Sequence, residues 1–115
     1  MTHQDQIRHA LWEIERTLRE SVFWQSTPPQ ASAFTSTEPF CLDTMSAEQW
    51  LQWVLLPRLH AMLDGGVSLP QALVITPYFE EALTGDISDI APLLSKLRVL
   101  DALFVPADVQ GDLDA

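Results

Sequence analysis

The sequence has 115 residues, of which 47% are hydrophobic, so it fits one domain with a packed core and excludes wholesale disorder. Its 16 acidic residues outnumber 6 basic ones and give a formal net charge of -10. Proteins bind phosphate backbones and anionic membranes through clustered Lys and Arg, so we expect neither a nucleic acid nor a membrane as a direct partner.

The first predicted element is a helix over about residues 3–23. Its apolar residues recur three or four positions apart, as on one face of an amphipathic helix. Thr2 and Asp5 have the spacing of a capping box, in which each side chain accepts a hydrogen bond from the other residue's backbone N–H. The predicted buried stripe consists of Ile7, Leu11, Ile14, Leu18 and Val22.

Residues 24–45, which we call the strap, have no helical pattern. Pro28 and Pro29 end the first helix, because proline lacks a backbone donor and disfavours helix before it. Apolar residues interrupt this Ser- and Thr-rich segment, so we expect the strap to lie across the helices rather than to hang free. The expected anchors are Trp24, Phe34, Phe40, Leu42 and Met45.

The second predicted helix covers about residues 46–63, from a capping box that begins at Ser46 to a glycine pair at residues 65–66. Gln52 is the only polar residue in an apolar run that ends at Pro57, which indicates a helix buried on most sides. Because Pro57 removes one helical hydrogen bond, we expect a kink there.

Residues 67–76 are apolar and leave two possibilities open, a short helical turn or extended chain. A third helix is predicted over residues 77–84, with Thr76 as its cap. A fourth is predicted over about residues 88–104, with Pro92 in its first turn, where proline is tolerated.

Four helices without any period-two strand pattern predict an all-α fold class, a small four-helix bundle with the strap between helices 1 and 2. The domain is expected to cover residues 1–104, and residues 105–115 are expected to be an acidic, disordered tail. A polar N-terminus and the lack of a long apolar run predict neither a signal peptide nor a transmembrane helix, so the cytoplasm is the simplest compartment.

Four stretches resemble the YqcC-like family of small bacterial proteins, in the same order and at similar spacing over about residues 5–104. The resemblance implies a small helical bundle without a settled activity. It also implies an association with tRNA pseudouridine synthase C, because the family resembles proteins whose genes lie beside that of the enzyme. The stretches are Phe34–Met45 (FTSTEPFCLDTM), Trp50–Arg58 (WLQWVLLPR), Pro77–Glu80 (PYFE) and Leu100–Phe104 (LDALF).

The residues do not support pseudouridine synthesis by this chain itself. Such synthases use a catalytic Asp in a larger mixed α/β fold with a basic RNA-binding surface, and in the family resembling synthase C this Asp follows His-Arg-Leu. The nearest match is Leu100-Asp101, which has no adjacent histidine. We interpret Asp101 as an exposed helical residue and expect the chain to be a partner of such an enzyme or of another protein.

Other catalytic signals are weak, so we lean against an enzyme and expect no cofactor and no metal site. The histidines His3, His9 and His60 lack ligand spacing, and Cys41 has apolar neighbours that do not favour a reactive thiolate. The paired carboxylates of residues 80–81 diverge by about 100° on a helix and do not face one another.

Arg58 is the best candidate for a binding residue, because it follows a proline in a very apolar helix. A buried arginine needs a carboxylate, and Asp43 and Glu80 are the expected partners. The alternatives are a structural ion pair between these residues, or a site for a ligand anion or a partner protein.

We predict that the binding surface lies where the strap crosses Arg58 and Tyr78. The aromatic members also suit a core, and the threonines also suit local backbone hydrogen bonds. A second hypothesis is a small-anion binder or enzyme with a pocket around Arg58, and a third is a role in tRNA pseudouridine modification. The candidate site residues are Arg58, Asp43, Tyr78, Glu80, Thr35, Thr37, Trp50 and Trp53.

Overall fold

Four helices account for most of the fold in the computed structural model, which describes residues 2–104. They are α1 (His3–Arg19), α2, α3 (Thr76–Ala82) and α4 (Ile87–Leu103). α2 has three consecutive segments, α-helical Ala47–Trp50, π-helical Leu51–Leu55 and α-helical Leu56–Gly65. No strand occurs within residues 2–104, so the predicted all-α class is confirmed. The predicted tail, residues 105–115, lies outside the described residues.

The core forms where α1 packs along α4, with α1 also against the last segment of α2 and α3 against α4. The predicted stripe of α1 is buried from Ile7 to Leu18, and α4 contributes Leu93, Leu97 and Leu100. Each such side chain contributes about 1.5–3 kcal/mol when it leaves water. Within residues 2–104, no helix is both long enough and apolar enough to cross a bilayer.

α1 begins at the predicted capping box of Thr2 and Asp5 but ends at Arg19, four residues earlier than predicted. Ser21 explains the early end, since its hydroxyl bonds the Leu18 carbonyl at 2.7 Å and accepts from a nearby backbone N–H. Such local bonds compete with the helix. Val22 is consequently 77% exposed, and its predicted place in the buried stripe is wrong.

The strap follows the surface of α2 with two short 3₁₀ turns, Ala31–Thr35 and Pro39–Cys41. Met45 is buried and Phe40 is half-buried, as expected of anchors. Phe34 and Leu42 are exposed, so the prediction that they anchor the strap is wrong. The strap is anchored instead by Ala33 and Cys41, which are buried together with Met45. These side chains are small because the tight turns bring the backbone close to α2.

Gln52, the one polar residue of the apolar run, holds the start of the strap against α2. Its side chain is buried and pairs with the backbone of Gln25 through two hydrogen bonds, Gln25 N–H to Oε1 at 2.9 Å and Nε2–H to the Gln25 carbonyl at 2.7 Å. Where we predicted a kink at Pro57, the structure has a π-helical segment directly ahead of it. α2 ends at the predicted glycine pair, with Gly66 in the left-handed region at φ 67°.

α3 is capped from a distant helix. Residues 67–75 contain no helix, and Thr76 lies inside α3 instead of capping it, so that prediction is wrong. Asp101 of α4 accepts hydrogen bonds from the backbone N–H groups of Ile75 and Thr76 at 2.9–3.2 Å. α4 starts at Ile87 after the Asp86 cap, which places Pro92 inside the helix rather than in its first turn.

Candidate functional site

An open groove of about 320 Å³ lies between the strap, α2 and the segment that precedes α3. We call it the Arg58 groove. Pro39 and Phe40 of the strap form one wall, α2 forms the floor from Trp50 to Met62, and Pro70 with residues 72–75 forms the other wall. Apart from Arg58, the side chains that line it are apolar.

Phe40 shapes the groove through a strained backbone. Its φ is 60° and that of Cys41 is 49°, a left-handed conformation that costs a bulky residue about 1–3 kcal/mol. The Phe40 ring stacks on Tyr78 with a centroid distance of 4.1 Å and meets Trp50 edge-on at 4.9 Å. Each aromatic pair contributes about 0.5–1.5 kcal/mol beyond its burial, so these two contacts offset part of the strain.

Arg58 is exposed at this groove and makes no ion pair within residues 2–104. The predicted ion pairs are wrong, because both carboxylates have other partners. Asp43 accepts a hydrogen bond from the Ser36 hydroxyl, and Glu80 lies 3.4 Å from the Arg98 guanidinium. The groove thus carries a positive charge that no neighbouring carboxylate in the described part of the chain neutralises.

Tyr78 lies under Phe40 and does not line the groove itself. Burial raises the pKa of its hydroxyl above the ordinary value, and the nearby charge of Glu48 raises the pKa further. The phenol therefore stays neutral well beyond physiological pH. It serves as a platform for the strap rather than as an acid or base.

The remaining candidates lie apart from the groove. The Thr35 hydroxyl donates to the Ser32 carbonyl at 2.7 Å, as expected of a turn residue, and Thr37 is exposed. Trp53 is half-buried, and its buried indole Nε1 has no acceptor within residues 2–104. Of the eight candidates, the structure brings Arg58 and Trp50 to the groove and Tyr78 behind its wall.

Sequence reasoning missed a second polar cluster between α1 and α4. Glu13 lies 2.7 Å from Arg16, 3.8 Å from Lys96 and 3.8 Å from His9, beside a pocket of about 350 Å³. The hydrogen bond from Arg16 lowers the pKa of Glu13, and the charges of Arg16, Lys96 and His9 lower the pKa further. The helical spacing of residues 9, 13 and 16 was visible in the sequence, but the approach of Lys96 depends on how α4 packs.

The predicted exposed position of Asp101 is also wrong, because its half-buried carboxylate caps α3. The hydrogen bonds to two backbone N–H groups give this carboxylate a structural role as a helix cap.

Comparison with known proteins agrees with this fold. A family model described as tRNA pseudouridine synthase C (DUF446) matches residues 6–103. The chain is 46% identical to the uncharacterised protein YqcC of Escherichia coli (strain K12), over 90% of this chain and 95% of that protein. An uncharacterised protein of Haemophilus influenzae is 43% identical over 87% of this chain and 93% of its own length.

The solution NMR structure of YqcC from E. coli superimposes with a TM-score of 0.78, covering 90% of this chain and 89% of that one. A protein of Pectobacterium carotovorum subsp. carotovorum named tRNA pseudouridine synthase C is 58% identical over 72 residues, or 63% of this chain. The match spans only 19% of that protein's length. On the agreement of sequence and structure, the chain belongs to the YqcC-like family of small helical proteins.

Proposed function

We propose that the protein is a non-catalytic interaction module of the cytoplasm that binds a partner protein through the Arg58 groove. The observation that carries the proposal is an open apolar groove whose one charged side chain has no ionic partner in residues 2–104. Apolar floors with an arginine anchor are typical of interaction hot spots. The free, buried Cys41 suits a reducing compartment.

The same geometry favours a partner protein over a small-anion binder or an enzyme. A small-ligand site usually encloses its ligand and converges several polar groups on it, whereas this groove is open and has one. The second hypothesis uses a pocket in which Asp43, Tyr78 and Glu80 join Arg58. The other partners of the two carboxylates, Ser36 and Arg98, do not favour it.

Capture from cell lysate followed by binding of the purified partner tests this proposal. The variants are Arg58→Ala and Met62→Asp in the groove, with Arg98→Ala as the matched control, because Arg98 is also an exposed arginine but lies outside the groove. Circular dichroism establishes that each variant is folded. Isothermal titration with the purified partner then gives the dissociation constants.

We expect Arg58→Ala to weaken binding about tenfold or more, since a charge-assisted hydrogen bond buried by a partner contributes about 1.5–3 kcal/mol. Met62→Asp should weaken binding to a similar extent, because it places a carboxylate in the apolar contact. The Arg98→Ala variant should bind like wild type. Equal affinities for wild type and both folded groove variants would show that the groove is not the binding site.

A second candidate function is that of a partner of tRNA pseudouridine synthase C. The Pectobacterium protein of that name contains a segment closely similar to this chain, and segments joined in one protein often act together as separate chains in another. A net charge of -10 also complements the basic surface of an RNA enzyme. Titration of the chain into purified synthase should show binding that weakens as salt rises, and absence of binding at low salt rejects this candidate.

A further inference from the structure

The wall of the Arg58 groove that precedes α3 has the exposure pattern of an extended strand. Ala72 is exposed, Leu73 is half-buried and Val74 is 71% exposed, so these three side chains point alternately away from and towards the core, whereas the next residue begins the turn into α3. This is the period-two alternation of a strand. Ile75 is fixed by the Asp101 cap, which holds the end of the segment in place.

The backbone of residues 72–74 in this wall is unpaired within residues 2–104. The N–H and C=O groups of residues 72–74 make no hydrogen bond to any other group of the described chain. Exposed backbone groups in an extended segment are a template for a second strand, as at the edge of a sheet. A helical partner could not pair with this backbone, because the N–H and C=O groups inside a helix already bond to one another.

The dimensions of the groove also suit an extended chain. The floor runs along α2 from Trp50 to Met62, which is about 18 Å at 1.5 Å per residue. Five or six residues of extended chain, at about 3.3 Å each, span this length. Because the volume of about 320 Å³ is distributed over that length, the groove is a narrow slot with room for side chains of a bound peptide.

The charge at the groove selects the chemistry of its occupant. Arg58 is the only charged side chain that lines the groove, and the described residues place no carboxylate beside it. A partner that covers Arg58 with apolar surface alone removes water from the guanidinium and offers no counter-charge, which costs free energy. A carboxylate on the partner removes that cost and gains a charge-assisted, bidentate hydrogen bond.

We infer that the Arg58 groove binds an extended peptide segment that places an acidic side chain on Arg58, apolar side chains in the slot and its backbone along residues 72–74. This inference rests on the proposed function, because it names the chemistry of the partner at the same site. The acidic position sets specificity, and the backbone pairing sets the direction of the bound chain.

Selection from a display library of random 12-residue peptides tests the inference. Peptides that bind wild type should share an Asp or Glu flanked by apolar residues. The charge-reversed variant Arg58→Glu should select Lys or Arg at that position, whereas the control Arg98→Glu should select the same peptides as wild type. For a selected peptide, Arg58→Ala should weaken binding about tenfold or more, and amide exchange at residues 72–74 should slow about tenfold or more.

The outcomes separate this inference from the proposed function. Selected peptides without an acidic position, or unchanged exchange at residues 72–74 in the complex, overturn the inference while groove binding stands. If no peptide is selected but a protein partner needs the groove, the inference also fails and the proposed function holds. If neither a peptide nor a protein binds at the groove, both are wrong.

Discussion

Replacing Asp101 by alanine should destabilise the protein substantially, although sequence reasoning interprets Asp101 as an ordinary exposed residue. Its carboxylate accepts from the N–H groups of Ile75 and Thr76, residues that are only 2% and 5% exposed. Loss of a helix cap costs about 0.5–2 kcal/mol, and an unpaired buried donor costs about 1–3 kcal/mol. Since water can enter the space left by the carboxylate, we expect a loss of about 2 kcal/mol.

Urea unfolding followed by circular dichroism and tryptophan fluorescence measures this loss. At about 4 °C per kcal/mol for a domain of this size, the melting temperature should fall by about 8 °C. Asp101→Asn should lie between alanine and wild type, because the amide oxygen still accepts one hydrogen bond. Asp64→Ala is the control, since Asp64 is mostly exposed and, within residues 2–104, pairs only with Arg8. A stability of Asp101→Ala equal to that of the control would refute the capping role.

Three further predictions concern the strap and the polar cluster on α1. Gln52→Leu should lower the free energy of unfolding by about 2 kcal/mol, because two hydrogen bonds to the Gln25 backbone are lost; an unchanged urea midpoint contradicts this. Tyr78 is the only tyrosine, so spectrophotometric titration should show one phenol with a pKa above 10.0, lowered in part by Glu48→Gln. Because stability falls wherever the unfolded chain ionises first, it should decline as the pH rises past about 10. The pKa of Glu13 is lowered, so its stabilisation is present above the ordinary value of 4.5 and is lost as the pH falls through the lowered one. Glu13→Gln should therefore lose less stability than wild type between about pH 5 and about pH 3, and equal losses contradict the prediction.

The helices could be predicted because their determinants are local. Capping boxes at Thr2 and Ser46, the glycine pair and the apolar stripes all act within a few residues, and the structure retains them. The errors at helix ends also have local causes, because side-chain hydrogen bonds compete there with the backbone hydrogen bonds of the helix. Ser21 ends α1 through its own hydroxyl bond, whereas the apolar pattern continues to Val22.

The site was harder to predict because its geometry is made by residues far apart in sequence. Asp101 and Ile75 meet only when α4 packs beside α3, and Glu80 finds Arg98 for the same reason. The strap turn adds a second difficulty, since no sequence rule assigns a left-handed backbone to phenylalanine. The position of Arg58 in an apolar helix is visible in the sequence, but the partner of Glu80 depends on how α3 and α4 pack.

The contrast between the two polar regions explains why we assign function to the groove rather than to the α1–α4 face. Around Glu13, basic side chains of α1 and α4 lie within 4 Å of the carboxylate, so these charges already have ionic partners inside the fold. At the groove, a strained strap turn is held open by aromatic stacking, and Arg58 stays without a carboxylate in the described chain. Backbone strain lowers stability and is typical of functional sites, and an exposed arginine without an ion pair is available to a partner. The strap turn and Arg58 lie side by side in the groove, and one acidic, apolar segment can satisfy the charge and cover the wall at once.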